Sequence, residues 1–212
     1  MTKPLAFLVA AFSIAIVCPR PADAHVLDEY LQATRLAIAR NRVALEIDLT
    51  AGAAVATEVF ARIDGNGDRQ VSAHEIETYG KRVLQNLILE VDGRPYPLRL
   101  TRAECPSWPE IRDGDGTIRL EAVGDVVVDA GHHRIHYANA HEPAIGVYLV
   151  NALVPSTRAI AITAQRRDVR QRGLDLDIDV AAPSSAAWWS LVSGVGFAAL
   201  ILYRRRERYP TR

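Results

Sequence analysis

Apolar and polar residues alternate along much of the chain, and this period of two is typical of β-strands that bury one face. In the stretch 43–49 every second residue is apolar, which places Val43, Leu45, Ile47 and Leu49 on the same face. Turn-forming pairs such as Asn41-Arg42 separate these stretches. Many short strands divided by turns predict a mainly β fold, an antiparallel sandwich of immunoglobulin-like type. The predicted strands are residues 31–39, 43–49, 87–91, 97–102, 117–123, 126–128, 133–139, 145–154, 159–165 and 174–180.

One region departs from the strand pattern and has the spacing of two amphipathic helices. Between them lies a short polar loop that is rich in Asp, Asn and Gly. We therefore expect the β-rich domain to carry a helix-loop-helix insert at residues 53–88. The apolar positions that define the two helices are Val55, Val59, Phe60 and Ile63, then Ile76, Tyr79, Val83 and Leu87.

The first 24 residues have the layout of a secretory signal peptide. Lys3 precedes an apolar stretch at residues 5–17, and the small-residue pattern Ala22-Asp23-Ala24 follows it. Cleavage after Ala24 leaves His25 as the first residue of the mature chain. A retained membrane anchor is the alternative, although the apolar stretch is short for a span.

A second apolar run, residues 186–203, carries no charge and predicts a transmembrane helix. Trp188, Trp189 and Tyr203 lie near its ends, where aromatic side chains suit the membrane interfaces. The tail 204–212 contains five arginines, which by the positive-inside rule places it in the cytoplasm. We therefore expect a single-pass protein of the inner membrane, with an ectodomain at 25–182 in the periplasm or cell exterior and a linker at 183–185. A buried core helix is the alternative for the run.

Charge and cysteine content narrow the classes of function. The 25 basic residues equal the 25 acidic ones, which argues against a nucleic-acid partner because phosphate binding needs a positive face. After signal cleavage Cys105 is the sole thiol, so no internal disulfide forms in an oxidising compartment.

The polar loop between the two helices has the ligand spacing of an EF-hand. Twelve residues supply oxygens from positions 1, 3, 5, 7, 9 and 12 to a Ca²⁺ ion that prefers six to eight oxygen ligands. Val71, at position 8, is apolar, as in loops whose side chain packs between the helices. The predicted Ca²⁺ ligands are Asp64, Asn66, Asp68, the backbone carbonyl of Gln70, Ser72 and the bidentate Glu75.

Arg69 departs from this pattern, because position 6 is glycine in such loops and adopts a positive φ. A non-glycine residue in that conformation costs about 1 to 2 kcal/mol, which predicts a weak site. The alternative is a polar helix-helix turn that binds no ion. A second acidic stretch, residues 113–116, fails as a calcium loop because Thr117 and Gly124 occupy its fifth and twelfth positions, and it predicts a hairpin turn instead.

Histidines offer a different metal chemistry. At a mature N-terminus, the α-amine and imidazole of His25 form a bidentate chelate for Cu²⁺ or Ni²⁺. His132, Arg134 and His136 share one face of a predicted strand, where a solvated face is the simpler interpretation. His141 lacks the second histidine of an HExxH motif, and no nucleophile or phosphate loop has a local signature. The sequence therefore favours a non-enzymatic protein.

Several segments together resemble the exported domain that precedes or accompanies nickel/cobalt-type permeases of the hydrogenase and urease accessory kind. They are residues 27–34, the EF-hand-like loop, residues 139–155 and residues 161–171. A single span cannot form a transport path, so the resemblance implies an accessory role beside a separate membrane transporter. Two classes of function follow: a calcium-binding membrane-anchored module, or a transition-metal (Ni²⁺, Co²⁺, Cu²⁺) accessory protein that uses His25.

Overall fold

Ten strands and three helices lie within residues 28–182, the part of the chain that the computed structural model describes. In chain order they are β1 (Tyr30–Ala39), β2 (Arg42–Ala51), α1 (Ala53–Ala61), α2 (Ala73–Leu84), β3 (Leu87–Val91), β4 (Arg94–Pro95), β5 (Leu98–Glu104), α3 (Trp108–Arg112), β6 (Thr117–Gly124), β7 (Gly131–Asn139), β8 (Gly146–Ala152), β9 (Ile160–Arg167) and β10 (Gly173–Val180).

The strands form two five-stranded sheets. The first has the order β5-β6-β2-β1-β8 and the second has the order β4-β3-β7-β10-β9. All pairs are antiparallel except β1 with β8, which run parallel. The prediction of a mainly β fold is confirmed. In the β1–β2 hairpin Ala39 pairs with Arg42, so the turn is Arg40-Asn41, one residue earlier than predicted.

The inward faces of both sheets contribute to one hydrophobic core. Alternation along each strand explains this, because successive side chains point to opposite faces and the apolar ones escape water. Leu45 and Ile47 of β2 are buried, as are Leu176 and Ile178 of β10. Burying one such side chain completely stabilises the fold by about 1.5 to 3 kcal/mol.

The predicted helix pair connects the two sheets. The chain leaves the first sheet at β2, passes through α1 and α2, and enters the second sheet at β3. Since β3 begins at Leu87, the last two residues of the predicted insert belong to that strand. Gly80 lets α2 approach β5 closely, because a Cβ atom there would lie 2.9 Å from Leu100 Cδ2.

Two local predictions are wrong. Residues 126–128 are not a strand; the amides of Val126 and Val128 donate instead to the turn carbonyls of Asn41 and Arg40. Residues 113–116 are not a hairpin turn, because they follow α3 in a longer connection between β5 and β6.

Within residues 28–182 no helix is both long and apolar enough to cross a bilayer. The predicted signal peptide, His25, the linker, the transmembrane run and the basic tail lie outside the described residues.

Candidate metal centre

The predicted calcium loop joins α1 to α2 at one end of the two sheets. Arg62 is the C-cap of α1, Asp64 follows two residues later, and Ser72 is the N-cap of α2. Glu75 is the third residue of α2. Asp64 is buried, with 8% of its surface exposed, whereas the other loop ligands are exposed or half-buried.

The carboxylate of Asp64 organises the backbone of the loop. Its Oδ1 accepts a hydrogen bond of 2.8 Å from the amide of Gly67, and its Oδ2 accepts one of 2.8 Å from the amide of Arg69. Each carboxylate oxygen has two lone-pair directions, so these bonds leave acceptor capacity at Asp64. The first predicted ligand therefore holds the chain in a closed loop.

Arg69 has the backbone conformation that its position requires. Its φ is +63°, in the left-handed region that an EF-hand loop needs at its sixth residue. The bond from its amide to Asp64 holds it there, at a conformational cost of about 1 to 2 kcal/mol for a residue with a Cβ atom. The sequence-based expectation of a strained bend at Arg69 agrees with the structure.

The middle of the loop is folded by its own polar side chains. Asn66 Oδ1 accepts from the amide of Asp68 at 2.8 Å, and Asp68 Oδ1 accepts from the amide of Gln70 at 2.7 Å. Such side-chain-to-backbone bonds two residues apart are typical of Asx turns. The predicted ligands at positions 3 and 5 are thus both engaged with the loop backbone.

Glu75 joins the two ends of the loop. Its Oε1 accepts from the amide of Gly65 at 2.9 Å, and its Oε2 accepts from the amide and hydroxyl of Ser72 at 2.9 and 2.7 Å. The Ser72 bonds, with those from loop amides, lower the pKa of the Glu75 carboxyl to about 2. Ser72 and Glu75 form a capping box, a role that sequence reasoning missed although the Ser-x-x-Glu spacing indicates it.

All the candidate donors are oxygens, which is the ligand type that a hard cation such as Ca²⁺ prefers. The ends of the loop are already together, since the twelfth residue binds the amide next to the first. In the described part of the chain, however, no three Asp, Glu, His or Cys side chains converge closely enough to hold a metal ion. The residue types and the loop closure fit Ca²⁺, although the carboxylates are not gathered around a common point.

Buried polar side chains connect α2 to β1 and to the segment that follows β7. The Tyr79 hydroxyl is 2.7 Å from the Tyr30 hydroxyl and 3.2 Å from His141 Nε2. His141 is only 2% exposed, and this burial lowers the pKa of its imidazole to about 4. Arg62, at the end of α1, forms an ion pair with the neighbouring Glu142. The helix that carries Glu75 is therefore fastened to β1 and to the segment after β7.

The histidines of β7 face carboxylates, as expected for a solvated charged face. Between β7 and β10 the imidazole-to-carboxylate distance is 3.0 Å for His132 with Asp179 and 2.8 Å for His136 with Asp175. The intervening Arg134 pairs with Asp177, which confirms that these three β7 side chains share a face. They do not gather around a common point, so the transition-metal alternative depends on His25.

The side-chain and carbonyl oxygens of residues 64–75 are of the ligand type that hard cations prefer. Glu75 both caps α2 and is the twelfth candidate ligand, so the candidate site and the helix cap share one side chain. No protein-family model and no curated protein matched the chain when its sequence was compared with them.

Proposed function

We propose that this chain is an exported, membrane-anchored, non-enzymatic protein that binds one Ca²⁺ ion in an EF-hand-like loop at residues 64–75. In this proposal the two sheets are an immunoglobulin-like sandwich and the helix pair is its EF-hand-like insert. One observation carries the proposal: Glu75 Oε1 lies 2.9 Å from the amide of Gly65, so the twelfth loop residue closes onto the first two.

Hydrogen bonds from loop amides hold the side chains of the first three proposed ligands in place. Asp64 is held by two loop amides, and Asp68 and Asn66 each accept from one, which leaves further lone pairs for an ion. To become a bidentate ligand, Glu75 exchanges its bonds with Ser72 for contacts with Ca²⁺. The Gln70 carbonyl and the Ser72 hydroxyl complete the proposed set.

Charge supports a cation at this position. Asp64, Asp68 and Glu75 place three carboxylates within twelve residues. In the described residues no basic side chain forms an ion pair with any of them, whereas nearby Glu77 pairs with Lys81. Like charges held close together oppose the closed loop, and a divalent cation removes this repulsion.

The proposed role of Ca²⁺ is structural. The loop lies in the connection between the two sheets, so an ion there fastens α1 to α2 and, through Tyr79, to β1. EF-hand-type modules outside the cytoplasm bind at about 10⁻⁴ to 10⁻³ M. An ion at about ten times its Kd stabilises the folded state by about 1.4 kcal/mol.

Membrane anchoring is the second part of the proposal. It rests on the uncharged run 186–203 and on the basic tail, which together favour one span with a cytoplasmic C-terminus. The resemblance to permease-associated exported domains suggests that the partner is a membrane transporter, beside which this protein acts as an accessory.

A capping-box comparison tests the calcium site. Glu110 caps α3 as Glu75 caps α2, since its Oε2 accepts from the amide and hydroxyl of Ser107 at 2.8 and 2.6 Å. Glu75→Gln and Glu110→Gln therefore remove one charge from matched capping boxes, of which only the first lies in the loop. Calorimetry and melting curves of the purified full chain, in millimolar Ca²⁺ or in EGTA, compare the two variants with wild type.

The expected result is Ca²⁺ uptake and a raised melting temperature in wild type and Glu110→Gln, and neither in Glu75→Gln. Wild-type protein that takes up no Ca²⁺ at millimolar concentration would contradict the proposal. So would a Glu75→Gln variant that binds as wild type does.

A further inference from the structure

The chain leaves the described body at Ala182, at the end of the sheets opposite the candidate calcium loop. Three connections meet there: the β1–β2 turn, residues 125–130 and residues 153–159. Val128 donates to the carbonyl of Arg40 at 3.0 Å, and Ala181 donates to the carbonyl of Ala159 at 2.8 Å. The Arg40 guanidinium donates to the Ala181 carbonyl. We call this surface, formed by residues 40–41, 125–130, 153–159 and 181–182, the exit end.

Apolar side chains project from the exit end into solvent. Val127 is 78% exposed, Val154 is 92% exposed, and Leu153 is 37% exposed. Single exposed apolar residues are ordinary, whereas three of them here lie on the connections at one end of the same domain. The neighbouring Val126 and Val128 are buried, so the backbone that presents Val127 is fixed by the core.

The apolar run that follows the exit end in the sequence indicates which kind of surface the exit end meets. Three residues, Pro183, Ser184 and Ser185, separate Ala182 from the uncharged run 186–203. Three extended residues span about 10 Å, so Ala182, the last described residue of the exit end, lies close to the start of the run. When the run crosses a bilayer, the exit end faces the lipid headgroups.

Charge at the exit end does not favour a strongly charged partner. Within the exit end, the charges of Arg40 and Arg158 are offset by those of Asp125 and Asp129. Attraction to a surface therefore comes from the apolar side chains, which suit the boundary between headgroups and acyl chains. The short tether keeps these side chains at a high effective concentration near the membrane, so even weak insertion orients the domain.

We infer that the exit end docks on the outer leaflet of the bilayer, with Val127, Leu153 and Val154 in the interfacial layer. The ten residues of β1 extend about 30 Å from this end to the helix pair, which holds the candidate calcium loop away from the membrane. This inference rests on the membrane anchoring of the proposed function and is independent of Ca²⁺ binding.

Val169 supplies a matched control. It is fully exposed in the turn between β9 and β10. This turn lies at the opposite end of the sheets, since the backbone carbonyl of its Arg172 accepts from the amide of Asn139, the last residue of β7, at 3.0 Å. Val127→Cys, Val154→Cys and Val169→Cys are made in the full chain with Cys18 and Cys105 replaced by Ala. An environment-sensitive NBD label on each cysteine is then measured in phosphatidylcholine/phosphatidylglycerol vesicles.

The expected result is a blue shift, quenching by lipid-borne nitroxide and loss of iodide quenching at positions 127 and 154, with none of these at 169. Equal iodide quenching at 154 and 169 in vesicle-bound protein overturns the docking while leaving the anchoring intact. Shielding at 154 without nitroxide quenching also overturns it, because a protein contact then covers the exit end. A chain that does not float with the vesicles overturns the anchoring itself, and docking with it.

Discussion

The hydroxyl oxygens of Tyr30 and Tyr79 lie 2.7 Å apart and join β1 to α2 inside the core. Both side chains are buried, and the Tyr79 hydroxyl also contacts His141 Nε2 at 3.2 Å. One hydroxyl group thus serves two buried partners from separate parts of the chain. This contact links the helix that contains Glu75 to β1 of the first sheet.

Tyr79→Phe is expected to lower the free energy of unfolding by about 1 to 3 kcal/mol, because it leaves buried polar groups of Tyr30 and His141 without their partner. Urea denaturation measures the change. Tyr96→Phe is the matched control, since Tyr96 is half-buried and its hydroxyl forms no hydrogen bond within the described residues. Equal stability losses in the two variants would show that the Tyr79 hydroxyl has no special role.

Because His141 is buried, we expect the folded protein to lose stability in weakly acidic solution. Burial lowers its pKa to about 4 from 6.5, so the unfolded chain binds a proton at a pH where the folded chain does not. The free energy of unfolding therefore falls as the pH drops from about 6.5 to about 4, by about 3 kcal/mol from this group. Urea denaturation at pH 7 and pH 5 measures part of this loss.

His141→Phe keeps an aromatic ring and removes the titrating group, so the difference between pH 7 and pH 5 is expected to shrink. A His141 imidazole that titrates near 6.5 in the folded protein, observed by NMR, would rule out this explanation.

The strands were predictable where alternation is uninterrupted and one face is buried. β2 shows this, since Val43, Leu45, Ile47 and Leu49 are all buried on the core side. The same rule failed at Val126 and Val128, whose alternating side chains are buried but whose amides donate to a turn. Periodicity reports which side chains avoid water, whereas strand pairing depends on where the backbone groups find partners.

Sheet order and short helices required information that is not local. The parallel pairing of β1 with β8 joins Tyr30 to Gly146, which are far apart in the sequence. α3 is too short for a helical period to appear, although Ser107 and Glu110 have capping-box spacing and Pro109 lies in the first turn.

For the candidate site, too, the local features were predictable from the sequence and the long-range contacts were not. The spacing of residues 64–75 predicted which oxygens belong to one loop, because all of them lie within twelve consecutive residues. The buried contacts of Tyr79 with Tyr30 and His141 were not predictable, since these residues come from three separate elements. The role of Glu75 as a helix cap could have been predicted from the Ser-x-x-Glu spacing, but the residue was interpreted only as a Ca²⁺ ligand.

The ionisation of Glu75 predicts a second pH effect, at lower pH than that of His141. Hydrogen bonds from the Ser72 hydroxyl and amide lower the pKa of this carboxyl to about 2 from 4.5. The stability that it contributes is therefore complete above about pH 4.5 and is lost as the pH falls towards 2. Carboxyl-carbon NMR titration is expected to find Glu75 ionised at pH 3.

Ser72→Ala removes the hydroxyl that is the main cause of the lowered pKa, so Glu75 should titrate at a higher pH in that variant. Ser107→Ala is the control, because it removes the same group from the Glu110 cap and should leave Glu75 unchanged. A wild-type Glu75 that titrates near 4.5 would contradict the contacts described for the loop.

Arg69→Gly tests whether the left-handed bend limits the stability of the loop. Arg69 has a φ of +63°, a conformation that costs a residue with a Cβ atom about 1 to 2 kcal/mol and glycine almost nothing. Glycine also makes the unfolded chain more flexible, which offsets about 0.5 to 1 kcal/mol of this gain. We expect a net rise in the free energy of unfolding of about 0.5 to 1 kcal/mol, measured by urea denaturation in EGTA.

The matched control for this substitution is Gln171→Gly, in the turn between β9 and β10, where φ is +55°. It should produce a similar gain in stability, because the backbone physics is the same, while leaving Ca²⁺ affinity unchanged. Because glycine stabilises the left-handed bend whether or not an ion is bound, most of its effect cancels in the affinity, and Arg69→Gly should raise Ca²⁺ affinity by less than about tenfold, the factor that corresponds to 1.4 kcal/mol. A larger increase would mean that the ion-free loop relaxes away from this bend and that Ca²⁺ restores it.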